Sequence, residues 1–230
     1  MKPRLFLLPA GRRARPVRSG LFKGIRLALD LHGGDLQMYA GLYERETFPW
    51  LRRLLRGCQG AIDVGAAKGE LSLLCLRQPG MRRVVAVEPA KTECALLQAN
   101  LALNHLTGDP RFWLHLGFAG RGSPPRWRTL DELAAEVPAP LFIKIDVDGP
   151  EAEVLATGSE TLFRRDCRLL IETHSVTAET VCQRQLLASG YVIQIIPNAW
   201  WRRFIPERRT IPHNRWLAAW RAANPPAANP

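Results

Sequence analysis

Ala61-Ile62-Asp63-Val64-Gly65-Ala66-Ala67-Lys68-Gly69 is the stretch on which the fold turns. A short apolar run closed by a glycine is the pattern of a strand buried on both faces in a parallel sheet. Gly65 permits a tight turn with the backbone close to a ligand, and Gly69 lets the next helix pack near the strand. Working outward, the same order recurs. An amphipathic stretch from Asp35 to Arg56 precedes the run, and a helix is expected from Lys68 through Leu76. Arg83 to Val87, rich in β-branched residues, is the second strand, and Pro89 stands where a helix can begin. In the helix from Ala90 to Leu106, Cys94, Leu97 and Leu101 share one face, and Gly108-Asp109-Pro110 stops it.

Phe112 to Phe118 reads as a third strand, and Thr129 with Glu132 three residues on signals a capped short helix. Leu141 to Asp146 is a fourth strand, after which Gly149-Pro150-Glu151 opens a helix carrying Val154, Leu155 and Leu162. Arg168 to Thr173 makes a fifth strand, Ala178 to Ser189 a helix, and Tyr191 to Ile196 a sixth strand. Repeated β-then-α order predicts an α/β fold with a mostly parallel sheet and helices on both faces.

With 230 residues and 47% apolar composition, the chain can bury one sizeable core. Residues 1–34 carry Pro3, Pro9, Pro16 and an arginine run without sustained period, and read as a basic N-terminal extension. Residues 35–223 read as the ordered domain, and 224–230 as a disordered tail. The apolar run Leu5 to Leu8 is closed by Pro9 and precedes the basic stretch, so neither a spanning helix nor a processed leader is expected. Five scattered cysteines without a C-x-x-C pair indicate neither a zinc site nor a disulfide framework, which makes a reducing cytoplasm the default.

The net charge of +11 raises a nucleic-acid partner, and the basic end with a few apolar residues raises a peripheral contact with anionic lipid. Yet only five of the 32 basic residues are Lys, and the excess gathers at the two ends, from Lys2 to Arg26 and from Arg202 to Arg221. A solvated basic fringe accounts for it.

In open α/β sheets ligands bind beyond the carboxyl ends of the strands where the winding reverses, so residues just after each strand are the candidates for chemistry. A dinucleotide fingerprint would be G-x-G-x-x-G; here the spacing is G-x-x-x-G behind an acid, Asp63, which would repel a pyrophosphate and suits a cationic ligand. Glu88, twenty-five positions later at the end of the second strand, stands where an acid accepts hydrogen bonds from ribose hydroxyls. An amine at one end and a free ribose at the other describe S-adenosylmethionine (SAM), with Asp63, Gly65, Ala66, Ala67, Gly69, Glu88 and Pro89 forming its site.

The fourth strand delivers Lys144 and Asp146 to one face. Methyl transfer takes a positive charge off sulfur while the acceptor oxygen loses a proton. Asp146 is therefore the candidate base or acceptor-orienting group and Lys144 its electrostatic partner, the alternative being an ion pair that only orders the strand end. Glu172 and His174 close the fifth strand toward the acceptor, with His174 as proton carrier or acceptor contact. Glu151 in a first helical turn reads as a helix-dipole residue. Asp146 and Asp148 together would suit magnesium, but no third ligand is visible, so no metal is assigned.

Taken together these blocks resemble the FkbM family of SAM-dependent methyltransferases. The resemblance runs from Gly41-Leu42-Tyr43-Glu44-Arg45-Glu46 through Ile62 to Gly69, Val87-Glu88-Pro89, Thr129 to Leu133, Ile143 to Glu151, and Ile171 to Ser175, as far as Gly190-Tyr191. It implies a Rossmann-like class I methyltransferase fold with a seven-stranded sheet, SAM at Asp63, Gly65 and Glu88, and O-methylation of a small-molecule or glycan hydroxyl. The family often has Asn where this chain has Ala67. Tyr43 and Glu44 would belong to a lid. His213 to Leu217 is similar to a further block, in which Arg215 would read an anionic acceptor. Trp200, Trp201, Trp216 and Trp220 would stack on that acceptor or, as the simpler account, be buried against the last helices. The rival functions are an RNA methyltransferase that clamps its substrate with the basic ends, and a SAM-binding protein without turnover.

Overall fold

The computed structural model describes residues 11–197 and 213–225. Seven strands form the central sheet, and β6 (Phe118–Ala119) pairs with β7 (Trp127–Arg128) in a separate parallel ribbon. The seven are β3 (Gly60–Val64), β4 (Arg83–Glu88), β5 (Phe112–Leu116), β8 (Leu141–Ile145), β9 (Cys167–Thr173), β10 (Tyr191–Ile196) and β11 (Arg215–Arg221), in the spatial order β10-β11-β9-β8-β3-β4-β5. From β5 to β9 every pairing is parallel, whereas β11 runs antiparallel to both β9 and β10. The chain winds one way from β3 through β4 to β5, then returns to lay β8 on the other side of β3. The reversal therefore falls between β3 and β8, and the crevice beyond their carboxyl ends is where such a fold binds ligands. The expected Rossmann-like α/β architecture, with seven mostly parallel strands, is present.

The period of two along each strand divides the core into two layers. Ala61, Val84, Ala86, Phe142, Leu170, Trp216 and Ala218 face one side, where α2 (Phe48–Leu55), α3 (Glu70–Leu76) and α4 (Lys91–Leu103) pack. Ile62, Val64, Val85, Val87, Ile143, Ile145, Leu169 and Ile171 face the other. They meet α5 (Leu130–Ala134), α6 (Glu151–Ala156), α7 (Ser159–Arg164) and α8 (Val176–Ala188). Thr129 and Glu132 form the expected reciprocal cap on α5. Among the described residues no helix is long and apolar enough to cross a membrane, and all five cysteines are unpaired and buried.

Four elements differ from the sequence pattern. The stretch Asp35 to Arg56 is not one helix: α1 (Leu36–Ala40) stops at Gly41, whose left-handed φ of 77° ends it, and α2 begins afresh at Phe48 with Pro49 in its first turn. The helix expected to carry Val154 through Leu162 is two, α6 and α7, parted by Gly158, where a Cβ would meet Leu130 at 2.5 Å. The segment expected as an extension at 1–34 is described from residue 11. There it holds a two-stranded antiparallel hairpin, β1 (Arg13–Pro16) and β2 (Arg26–Leu29), whose Val17, Phe22, Ile25, Leu27 and Leu29 lie in the same core as α2 and α3. The hairpin is held by α4. Asn100 Oδ1 accepts from Ala28 N at 2.8 Å, and Asn104 bonds both Arg26 N and Arg26 O, so a helix supplies the partners that a neighbouring strand would.

The fourth difference is β11. Trp216 and Trp220 lie on an inserted strand rather than against terminal helices: Trp216 is 1% exposed in the sheet, and Trp220 stacks on Trp50 at 5.9 Å. Trp200 and Trp201 lie outside the described residues, as do residues 1–10 and 226–230.

Candidate active site

At the end of β3 the chain turns sharply at Gly65, which has φ 76°. A Cβ there would sit 1.8 Å from the carbonyl oxygen of Asp146, so only glycine lets the turn lie against the end of β8. Gly69 plays the expected packing part toward α4, where a Cβ would meet Leu97 at 2.6 Å. Gly65 N and Ala66 N both donate to Val87 O, tying the turn to β4. Ala67, between them and Gly69, has the left-handed φ of 43°. Its N–H donates to Glu88 Oε2 at 2.9 Å, while Glu88 Oε1 accepts from Ala90 N at 2.9 Å across Pro89. Two backbone donors thus fix the Glu88 carboxylate at the mouth of β4. Lys68 swings outward to Asp35 at 2.7 Å, and Asp35 also holds Arg12 of the hairpin at 2.8 Å.

Beneath the turn, Asp63 is 1% exposed. Its Oδ2 accepts from Ser72 Oγ at 2.7 Å, and Oδ1 lies 3.8 Å from Lys144 Nζ. The ammonium beside Asp63 is therefore that of Lys144. Burial pushes the Asp63 carboxyl up to about 6 against the opposing pull of Lys144 and Ser72. Lys144 Nζ also donates to Gly65 O at 3.0 Å and pairs with Asp146 Oδ2 at 3.0 Å, so it clasps the ends of β3 and β8 together. Burial alone would depress the Lys144 ammonium, but Asp146 and Asp63 outweigh it and raise its pKa. Burial likewise opposes the charge of Asp146; Lys144 and the hydrogen bond from Glu172 outweigh it and hold Asp146 below the ordinary carboxylate range.

Glu172, 5% exposed at the end of β9, is pushed up to about 11 by burial and by the charges of Asp146 and Glu44. These surroundings favour its protonated form, in which the carboxyl donates to Asp146. Glu44 arrives from the segment before α2, its backbone in the left-handed region at φ 49°, and burial together with Asp146 pushes it up to about 8. Oxygens of Glu44, Asp146 and Glu172 all lie within 4.8 Å of one another.

His174 follows β9 with its side chain 8% exposed. Its Nδ1 pairs with Glu151 Oε1 at 2.5 Å, and the same oxygen accepts from Gly149 N at 2.6 Å. Burial lowers the His174 pKa, yet the Glu151 bond and charge outweigh it and raise it. Glu151 is 0% exposed. It is a hydrogen-bond partner of the site and not merely a helix-dipole residue. On the far side of the ring Nε2 stands 3.5 Å from Asp148 Oδ1 and 3.8 Å from Asp146 Oδ1. Asp146, Asp148 and His174 thereby bring three donor atoms within 4.8 Å of one another, with His174 the member that sequence spacing does not reveal.

The structure thus gathers Asp63, Lys144, Asp146, Glu172 and His174 into one cluster, with Gly65, Ala66, Ala67 and Gly69 as its roof and Glu88-Pro89 at the next strand end. Arg215 spends its Nε and Nη2 on Glu179, a buried acid that also takes His213 Nε2 at 2.9 Å, and its side chain is 40% exposed. Glu44, Glu151 and Ser72 are the members that sequence reasoning left without a chemical part.

No protein-family profile matches this chain, and no curated protein matches it. Solved structures do. A methyltransferase FkbM from Methylobacillus flagellatus KT superposes with TM-score 0.56 at 24% identity, covering 70% of this chain and 43% of that one. This chain therefore spans less than half the length of that protein. A precorrin-6y C5,15-methyltransferase from Geobacter metallireducens GS-15 gives TM-score 0.52 at 15% identity, covering 78% of this chain and 88% of that one. A SAM-dependent O-methyltransferase from Thermotoga maritima gives 0.51 at 17% identity, covering 85% and 72% respectively. At these identities the likeness is one of fold.

Proposed function

We propose that this chain is a SAM-dependent methyltransferase that acts on a hydroxyl oxygen of a small molecule or glycan. The observation that carries the reading is the meeting of two features at the reversal of the sheet. One is a glycine turn against a fixed carboxylate, Glu88; the other is the set of acids, Asp63, Glu44, Asp146 and Glu172, gathered around Lys144 at the neighbouring strand ends. SAM fits that donor set, because it is a net cation, its sulfonium and ammonium set against one carboxylate, and its ribose brings two hydroxyl donors. The likeness in fold to the three methyltransferases supports the same reading.

When bound, SAM supplies an electrophilic methyl carbon on a positively charged sulfur. Glu88 keeps lone pairs for the ribose while its backbone donors stop it from turning away. Asp63 acts from beneath the turn, through Lys144 and the Gly65 carbonyl. Asp146, ionised and held by Lys144 and Glu172, accepts the hydrogen bond of the acceptor hydroxyl and aims its oxygen lone pair at the methyl group. The hydroxyl proton would pass to the Asp146 carboxylate as the acceptor oxygen takes the methyl group that bound SAM would supply, leaving the neutral thioether. Lys144 opposes the negative charge that develops on the acceptor oxygen.

The test is thermal. S-adenosylhomocysteine at a hundred times its dissociation constant should stabilise the protein by about 2.7 kcal/mol, and NAD should not. Stabilisation by NAD with no response to the nucleoside would end this reading. Labelled SAM incubated with metabolite extract then reports the acceptor.

A further inference from the structure

Asp146, Asp148 and His174 each bring one donor atom to within 4.8 Å of the other two. They come from the end of β8, the turn before α6 and the end of β9. Asp148 is 59% exposed at its side chain, so the group opens to solvent on one side.

The imidazole distinguishes this group from a patch of acids. His174 is more than nine-tenths buried and its Nδ1 is bound to Glu151, a carboxylate with no exposure at all. With Nδ1–H given to Glu151, it is Nε2 that faces Asp146 and Asp148, and a bound cation would take the place of a proton on that nitrogen. Metal-binding histidines are held in this way, with the non-ligating nitrogen tied to a carboxylate.

Spacing is the second feature. Nε2 makes no hydrogen bond among the described residues, and its separations are 3.5 Å from Asp148 Oδ1 and 3.8 Å from both Asp146 Oδ1 and Glu172 Oε2. Those distances are too long for N–H···O contacts. Two ligands each about 2.1 Å from one ion, subtending about 110°, stand about 3.4 Å apart. Lys144 does not fill the place, for it pairs with Oδ2 of Asp146 and leaves Oδ1 on the His174 side.

We propose that Asp146, Asp148 and His174 form a binding site for a divalent first-row transition ion, with Glu151 orienting the imidazole. One imidazole beside two carboxylates selects Mn²⁺, Fe²⁺, Co²⁺ or Zn²⁺ over Mg²⁺, which takes oxygen ligands. The ion's task, to hold the oxygen of an acceptor at its open positions, rests on the methyltransferase reading; the site itself does not.

The experiment uses the full chain, stripped with chelator and titrated with MnCl₂ while the electron paramagnetic resonance signal of free Mn²⁺ is followed. The expected result is one bound ion per chain with ¹⁴N coupling from His174, undisturbed by millimolar Mg²⁺. His174→Gln and the more exposed Asp148→Asn should each weaken binding by more than tenfold, and Glu151→Gln by roughly 10–100-fold. An undiminished free signal, bound Mn²⁺ without nitrogen coupling, or unchanged affinity in both ligand variants would overturn the site. Melting shifts with S-adenosylhomocysteine are read on the same samples. A shift without Mn²⁺ binding removes the metal alone, and Mn²⁺ binding without a shift removes the cofactor reading alone.

Discussion

At position 67 an alanine occupies a conformation that L-residues avoid. Ala67 has φ 43°, and its N–H cannot leave Glu88 without releasing one of the two donors that fix that carboxylate. The left-handed region costs an L-residue about 1–2 kcal/mol, and asparagine tolerates it better than alanine because its short polar side chain bonds locally. Ala67→Asn should therefore raise stability by about 0.5–1 kcal/mol, visible as a melting point higher by about 1–4 °C for a domain of this size. A lower melting point would mean that the turn is set by something other than its backbone. Gly65 is the opposite case. Gly65→Ala drives a Cβ into the carbonyl of Asp146, so the end of β3 must part from β8 and the Lys144 clasp must open. The variant should melt several degrees lower and lose its response to S-adenosylhomocysteine; an unchanged response would detach the turn from the proposed cofactor site.

Among elements, the interface between α4 and β2 carries a prediction of its own. Asn100 is fully buried and serves two backbone groups, accepting from Ala28 N and donating to Lys68 O at 2.8 Å. Asn100→Leu keeps the branched outline and orphans both, so it should cost about 1–3 kcal/mol in a denaturant titration; a loss below about 0.5 kcal/mol would show that the hairpin is held by its apolar face alone. This interface also explains what sequence could and could not reveal. β3, β4, β8 and β9 were legible because strands buried on both faces must be apolar runs, and the glycines and acids that follow them are dictated by the turn. The hairpin was illegible because its strands are four residues long and arginine-rich, and their hydrogen-bond partners sit on a helix more than seventy positions away. Strand β11, Arg-Trp-Leu-Ala-Ala-Trp-Arg, has the alanines and arginines of a good helix former, and only the open edges of β9 and β10 make it extended. In the site, Glu151 and His174 lie twenty-three positions apart on elements whose approach no local pattern encodes, so their bond was beyond reach while each strand-end residue by itself was not.

For the molecule as a whole, the acids of the site set how stability varies with pH. Asp63, Glu44 and Glu172 stand at about 6, 8 and 11 in the folded chain, all above their ordinary values near 4. A group whose folded pKa is raised keeps its proton longer in the native state. Its stabilisation is full below the unfolded pKa and is lost as pH climbs toward the folded one. Asp146 and Asp35 work the other way, since their folded pKa values are lowered; their contribution is complete by about pH 5. Between pH 5 and 8 the raised groups are therefore the ones still changing, and unfolding free energy should fall by up to about 1.4 kcal/mol per pH unit for each proton involved. The net charge of +11 pulls against this trend, because self-repulsion eases as pH rises, but at 0.15 M salt the Debye length of about 8 Å screens charges spread over the surface far more than those packed in the cluster. Glu172→Gln separates the two effects. The amide still donates to Asp146 but carries no titrating proton, so the variant should equal or exceed the parent in stability at pH 8 and show a flatter decline from pH 5. Denaturant midpoints measured across that range at 0.15 and 0.5 M salt decide the matter: a parent protein as stable at pH 8 as at pH 5 would mean that the acids of the site are ionised, and that Lys144 and its neighbours balance them unaided.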